Sequence, residues 1–412
     1  VPRRFILARK QLPSFLSVYA SMARPVSSTP SAIAAPPAHA VPQWLATGAI
    51  VYERMLVLIK TARVSIRCET YIWAADEVGA RFLAALSHAA ARGVRVHVLV
   101  DGGGSPTLPA NYWREFEAAG GRAHIFNPLT FRHFSLRNHR KLLLVDDTTV
   151  VTGGFNIARE YDGDGVTHGW RDFGIELQDP AALAQLAASF DSLFANHLIR
   201  QSLRRRWQSR SLRRPAFHRL PGPVLFSGPL FLGNQFARRL LATLRHAHRV
   251  RIISAYFAPS FRLRRALRAV ALRGGTVQLL LAGKSDVPLA QRAARSIYGP
   301  LLKAGVQIWE YQPQILHAKL ALVDDHIFAG TANLDARSLA INHEFMICLK
   351  DARLSTEARA MFSVDLQHSR QITLLEWQRT RTWLTRLRGA IARFLITKVD
   401  PWLAHRQMRD VP

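Results

Sequence analysis

Acidic residues are scarce in this sequence and absent from long parts of it. Among 412 residues there are 28 Asp or Glu against 56 Lys or Arg, a formal net charge of +28. None precedes Glu53, and none falls between Ser192 and Ser285. Such a field draws polyanions, either nucleic acid or an anionic membrane surface, without choosing between them. Lysine is also rare, at eight against 48 arginines, a bias that genomic composition alone can produce. Two cysteines are too few for a disulfide framework. Cys68 and Cys348 lie in apolar, strand-like runs and read as free thiols, and no Cys/His cluster has zinc-ligand spacing. No apolar run approaches the roughly 18 residues that would span a bilayer.

What is present is globular in character, with 49% hydrophobic and 20% charged residues. Residues 1–45 read as a flexible basic tail, acid-free and ending in a Pro/Ala/Ser-rich tract from Pro25 to Pro42. Ala38-His39-Ala40 resembles a small-residue cleavage site. No apolar core of roughly 7–15 residues precedes it, so a signal peptide is not expected, and Met22 is a second candidate start.

The remainder repeats itself. A strand from Arg63 to Trp73 has its counterpart from Arg249 to Phe257. Helices follow at Ala80 to Arg92 and Phe261 to Arg273, closed by Gly93 and Gly274. Strands at Val94 to Asp101 and Val277 to Leu281 come next, then helices at Tyr112 to Ala119 and Leu289 to Ala304. Short strands, Ala123 to Phe126 and Gln307 to Tyr311, complete the pattern. Alternating β and α elements argue for an α/β fold with two tandem units, each a mixed sheet flanked by helices. The expected units are residues 46–198 and 224–370, joined by a basic linker at 199–223. Residues 371–412 form an amphipathic basic helix, with Trp383, Leu384, Leu387, Ile391, Phe394 and Leu395 on one stripe. Packing on the core and lying on a membrane surface both account for that stripe.

Each unit carries one copy of a motif. His139-x-Lys141-x4-Asp146 and His317-x-Lys319-x4-Asp324 each open an apolar run, and small-residue turns then lead to Asn156 and Asn333. One accidental match arises on the order of once per hundred such chains, and two far more rarely. Residues two apart on a strand share a face, so each His and Lys point together. The odd offset sends Asp146 and Asp324 to the opposite face or the following turn, which suits a structural anchoring role. Two facing copies would present two His, two Lys and two Asn amides to one tetrahedral anion, the charge stabilisation that phosphoryl transfer requires. One imidazole can attack phosphorus while the other protonates the leaving oxygen. Each needs a carboxylate on its second nitrogen, and Asp172 and Glu344 are the candidates.

These residues resemble the phospholipase D superfamily, and within it the bacterial cardiolipin synthases. The likeness includes Arg137-Asn138-His139-Arg140-Lys141, Trp170-Arg171-Asp172, the run from Glu69 to Trp73 and the run from Gly330 to Ser338, and it spans Val51 to Leu349. It implies two pseudo-twofold-related repeats with the active site at their interface. It also implies a phosphohistidine mechanism with no metal and no cofactor, and a catalytic set of His139, Lys141, Asp146, His317, Lys319 and Asp324. Asn156 and Asn333 would bind phosphate, and Asp172 and Glu344 would orient the imidazoles. The leading function is phosphatidyl transfer between phospholipids with phosphatidylglycerol as donor. Alternatives are a hydrolytic phospholipase D and, less favoured, a phosphodiesterase acting on nucleic acid. The in-chain duplication and the amphipathic tail argue against nucleic acid. A non-catalytic role is disfavoured because both His and both Lys are intact. The expected protein is a monomer on the cytoplasmic side of a bacterial inner membrane, acting on phospholipids at an anionic surface, and peripheral because it shows no amino-terminal pair of membrane spans such as some synthases of the family have. One departure stands out: the second copy has one residue fewer between Asp324 and Asn333 than the first has between Asp146 and Asn156, which predicts an altered hairpin register.

Overall fold

The computed structural model describes residues 42–129, 135–196, 220–228 and 233–409, with side chains up to residue 404. The expected tail up to residue 41 and the linker up to residue 219 lie outside these described residues. The first repeat runs β1 (Gln43–Leu45), α1 (Gly48–Thr61), β2 (Ser65–Thr70), α2 (Glu77–Ala91), β3 (Arg95–Asp101), α3 (Arg114–Ala118), β4 (Arg122–Phe126), β5 (Leu142–Val145), β6 (Thr149–Gly153), β7 (Gly174–Leu177) and α4 (Pro180–Ala195). The second runs β8 (Val224–Ser227), α5 (Gln235–Leu244), β9 (Arg249–Ser254), α6 (Phe261–Leu272), β10 (Thr276–Ala282), α7 (Pro288–Ser296), α8 (Tyr298–Leu302), β11 (Gln307–Tyr311), β12 (Lys319–Val323), β13 (His326–Gly330), α9 (Ala336–Ala340), β14 (Glu344–Lys350), α10 (Ala352–Gln367) and β15 (Ser369–Ile372). After it come α11 (Leu374–Arg379), α12 (Trp383–Phe394), a π-helical turn (Leu395–Val399) and α13 (Asp400–Arg409).

The strands form a seven-stranded sheet, β1-β7-β6-β5-β2-β3-β4, and an eight-stranded one, β15-β11-β10-β9-β12-β13-β14-β8. Helical crossovers make β2, β3 and β4 parallel, and likewise β9, β10 and β11, while β5 and β12 return antiparallel. Both sheets are therefore mixed, and their orders correspond strand for strand apart from the additional edge strand β15. Strands buried on both faces lose the polar alternation of a surface sheet, which is why β5 reads Leu-Leu-Leu-Val and is wholly buried. Tyr52, Met55 and Ile59 of α1 and Phe82 and Leu86 of α2 pack on Ile66, Val96 and Val98. Leu240 and Leu244 of α5 and Leu263 and Leu267 of α6 do the same on Ile252, Val277 and Leu279. Gly93 and Gly274 close α2 and α6 with φ of 89° and 86°, as their positions predict. Both cysteines are free, Cys68 buried and Cys348 half-buried.

Several element edges differ from those expected from the sequence. Gln43–Leu45, assigned to the tail, is a strand paired with β7, and three residues are too few to carry a period. β15 runs past the expected end of the second repeat and pairs with β11. The helix expected from Leu289 to Ala304 breaks at Ile297, because Pro300 has no N–H to continue the ladder. The single C-terminal helix is several segments. The face that α12 buries is its small one, Gly389 and Ala392, with Gly389 set against Ser296 of α7. Its apolar stripe points to solvent: Trp383 is 75% exposed and Phe394 59%. Among the described residues no helix is long and apolar enough to cross a membrane.

The expected change of hairpin register does not occur. Leu142 pairs with Thr152 and Leu320 with Ala329, each partner four residues before its Asn. The missing residue is lost from the turn itself, so Asn156 and Asn333 return to equivalent places. Asp146 and Asp324 start those turns in the left-handed region, with φ of 52° and 51°. The Asp146 carboxylate accepts the backbone N–H groups of Arg63, Val64 and Ser65 at 2.8–2.9 Å. Asp324 accepts those of His248 and Arg249 in the same manner. These bonds pin each motif hairpin to the start of β2 or β9. Asp146→Ala is therefore expected to lower stability by about 1–3 kcal/mol, and Asp146→Asn by less, since Asn keeps an acceptor and tolerates positive φ. Calorimetry should show that order, with turnover per folded molecule largely retained in both.

Candidate active site

The segments that lead into β5 and β12 meet at the centre of the molecule. The backbone of Asn138 bridges that of His343, and Arg171 bridges Leu316, so each motif is zipped to a loop of the other repeat. His139 N–H donates to the carbonyl of His343, and His317 N–H to that of Arg171. Those loops carry the carboxylates, and the pairing is crossed. His139 Nδ1 lies 2.8 Å from Glu344 Oε1 of the second repeat, and His317 Nδ1 lies 2.9 Å from Asp172 Oδ2 of the first. With Nδ1 held in this way, each ring turns Nε2 toward the space between the repeats.

The carboxylates are themselves fixed. Glu344 accepts hydrogen bonds from Thr331 Oγ1 and Ser338 Oγ at 2.6 and 2.7 Å. Asp172 has Gly154 against it, where a Cβ would fall 2.5 Å from Oδ2 and 2.6 Å from the His317 carbonyl oxygen. Thr331 occupies the matching position of the second copy, so the longer glutamate faces a hydroxyl and the shorter aspartate faces a bare backbone.

A cavity of about 560 Å³ opens over the two imidazoles. Tyr71 and Tyr256, one from each repeat, line it together with Asn156 and Asn333. Asn156 is tied by Ile72 N–H on Oδ1 and donates Nδ2 to Tyr161 Oη. Asn333 is buried and its Oδ1 has no partner among the described residues, while the Nδ2 end of its amide is the end that can donate to an anionic oxygen. Lys141 donates to the His139 carbonyl, and Lys319 lies against both nitrogens of His317. Asp146 and Asp324, grouped with the catalytic residues by the family resemblance, do not join this cluster. The turn places them at the far end of the strand.

Contributors that sequence spacing does not reveal surround the centre. Asn138 and Arg140 are held by Glu69, Arg137 by Asp101, and Arg171 by Asp365. These buried pairs rest on residues far apart in sequence, so no local pattern announces them. Arg337 and Asp400 are a further pair at the cavity.

Burial dominates the electrostatics. It lowers His139 well below the ordinary histidine value, helped by Lys141 and Lys319, and it lowers His317 to about 4, helped by Lys319. It brings Lys141 down to about 7 and Lys319 to about 8, and it pushes Glu344 up to about 8. Burial in the cavity thus disfavours charge of either sign. A bound oxyanion supplies the missing counter-charge and raises the lysines and imidazoles again. Its binding is therefore coupled to proton uptake, and affinity must fall as pH rises through the free-state lysine values. Competitive inhibition by tungstate, dianionic throughout, is expected to weaken steadily from pH 7 to 9, by up to about tenfold per pH unit per lysine. An inhibition constant that stays flat or tightens over that range would contradict this coupling.

Comparison with known proteins agrees with this geometry. Residues 55–194 and 240–366 match the family described as "Cardiolipin synthase, PLD-like domain". Cardiolipin synthase B of Escherichia coli (strain K12) is 31% identical over 362 residues, 85% of this chain and 86% of that protein. The major cardiolipin synthase of Bacillus subtilis (strain 168) is 32% identical over 364 residues, 84% of this chain and 72% of that one. Among solved structures, a phosphatidylserine synthase of Haemophilus influenzae Rd KW20 superposes with a TM-score of 0.69 at 16% identity, covering 88% of this chain and 94% of its own, a likeness of fold. With two matched segments, two corresponding sheets and both motifs at one cavity, the chain belongs to the cardiolipin synthase family of phospholipase D-like proteins and is an enzyme of that superfamily.

Proposed function

We propose that the chain transfers a phosphatidyl group from phosphatidylglycerol to the hydroxyl of a second phospholipid through a phosphohistidine intermediate. The observation that carries this reading is the pair of imidazoles facing one cavity, each braced on Nδ1 by a carboxylate of the opposite repeat. His139 Nε2 attacks phosphorus, and the bond to the glycerol head group breaks. The leaving oxygen takes the proton from Nε2 of His317. The acceptor hydroxyl then returns a proton to His317 and displaces His139 from phosphorus, restoring both rings. Lys141, Lys319, Asn156 and Asn333 hold the phosphoryl oxygens while negative charge builds. Positive charge comes from lysines in this scheme, so exhaustive chelation should leave turnover intact. Both halves of the site lie in one chain, so a monomer suffices.

Incubation with labelled phosphatidylglycerol is expected to yield cardiolipin and free glycerol. Phosphatidic acid alone would make the enzyme a hydrolase. His139→Ala and His317→Ala are each expected to lower turnover by at least about three orders of magnitude, because they act as one unit. A phosphoryl adduct trapped on His317 rather than His139 would reverse the assigned roles.

The apolar rim supports a lipid substrate. Leu289, Leu395, Ile396, Val399 and Leu403 line the cavity, and the π-helical turn among them continues directly from the exposed stripe of α12. Arg386, Arg388 and Arg393 flank that stripe. We read this face as seating the enzyme peripherally on the anionic cytoplasmic leaflet of a bacterial inner membrane. Replacing Trp383, Leu387 and Phe394 together by Ser should weaken co-sedimentation with phosphatidylglycerol vesicles at least about a hundredfold, at roughly 1 kcal/mol or more per side chain. Turnover of a soluble short-chain substrate should change little. Undiminished vesicle binding would remove the stripe from this role.

A further inference from the structure

Transfer between two phospholipids brings two phosphodiester anions into one cavity. The reacting phosphate is served by Lys141 and Lys319. The acceptor carries its own phosphate, joined to the attacking hydroxyl by three glycerol carbons and so held within about 6 Å of it. A second anion at that distance, removed from water, requires a cation of its own.

The described residues lining the cavity include one arginine or lysine, Arg337. It sits in α9, one residue before Ser338, whose hydroxyl holds Glu344 and through it His139. Its charge reaches His139 and Tyr71 and acts on both. A guanidinium suits a phosphodiester, because its planar donors match two oxygens at once. Its Nε donates to Asp400 Oδ2 at 2.6 Å, and both side chains are about 30% exposed. Asp400 opens α13 directly after the π-helical turn whose Leu395, Ile396 and Val399 line the same cavity. π-Helical turns are uncommon and gather at functional sites.

We infer that Arg337 is the subsite for the phosphate of an anionic acceptor, and that Asp400 occupies it until the acceptor arrives. This rests on the transferase reading and adds the residue that would select its phospholipid acceptor. The exchange replaces one anion by another on the same guanidinium, so Arg337 keeps an anionic partner throughout. The displaced carboxylate is already partly in water. A neutral acceptor such as glycerol has no group to displace it and gains nothing from Arg337. A purely structural ion pair, tethering α13 to α9, would instead affect every acceptor alike.

The test uses the full chain with detergent-dispersed phosphatidylglycerol and labelled glycerol. Phosphatidylglycerol acting as acceptor gives cardiolipin, glycerol gives labelled phosphatidylglycerol, and water gives phosphatidic acid. Arg337→Gln is expected to lower the ratio of cardiolipin to labelled phosphatidylglycerol at least about tenfold, and Arg337→Lys to lower it less. Asp400→Asn, which frees the guanidinium, is expected to raise the ratio severalfold. The inference is overturned if Arg337→Gln reduces both products in parallel, or if Asp400→Asn lowers the ratio as Arg337→Gln does. Should Arg337→Gln lose its thermal unfolding transition, Arg337→Lys and Asp400→Asn decide by the same ratio. A wild-type enzyme that makes labelled phosphatidylglycerol and phosphatidic acid but no cardiolipin would instead overturn the transferase reading, before any variant is compared.

Discussion

The hydrogen bonds from His139 to Glu344 and from His317 to Asp172 each join one repeat to the other, and the centre of the molecule is arranged around them. A single repeat would hold an imidazole with no carboxylate behind it. The crossing makes the contact reciprocal, as across a twofold axis, so whatever fixes one pair helps to fix its counterpart. Backbone bridges at Asn138–His343 and Arg171–Leu316 run beside both pairs. Buried ion pairs at Arg140–Glu69 and Arg171–Asp365 stiffen the segments that carry the rings. Such pairs contribute little net stability once desolvation is counted, but losing one partner would leave a buried charge unmatched. Their value here is positional.

Burial sets the chemistry of the same centre. With two ammonium groups, two imidazoles and two carboxylates out of water, the site sits at the edge of neutrality, and lysines lowered to about 7 and 8 are its clearest sign. An arriving phosphate restores charge to groups that were holding it poorly. Much of the surplus arginine belongs instead to the acid-poor stretches of the sequence and to the flanks of α12. Long-range attraction and local catalysis are thus assigned to different cations.

The C-terminal region shows how packing settles what a pattern leaves open. An apolar stripe on a helix ordinarily faces the core. In α12 the contact with α7 is made by Gly389 and Ala392, whose small side chains let the two helices approach closely. The bulky stripe is left outward, and its continuation forms one wall of the cavity. Substrate access and surface contact are therefore built from one continuous segment.

The sequence by itself determined the duplication, the α/β class, the glycine caps and the residues that gather at the cavity, because each is written in local spacing. Strand parity also separated Asp146 and Asp324 from the imidazoles they accompany in the motif. Short edge strands such as Gln43–Leu45 left no periodic trace, and the residue missing from the second hairpin was absorbed by its turn. Which carboxylate serves which histidine, which face of α12 is buried, and that Asp400 meets Arg337 were decided by tertiary structure alone. Those facts depend on the docking of segments from about 60 to 200 residues apart, and side-chain order along one chain carries no record of that docking.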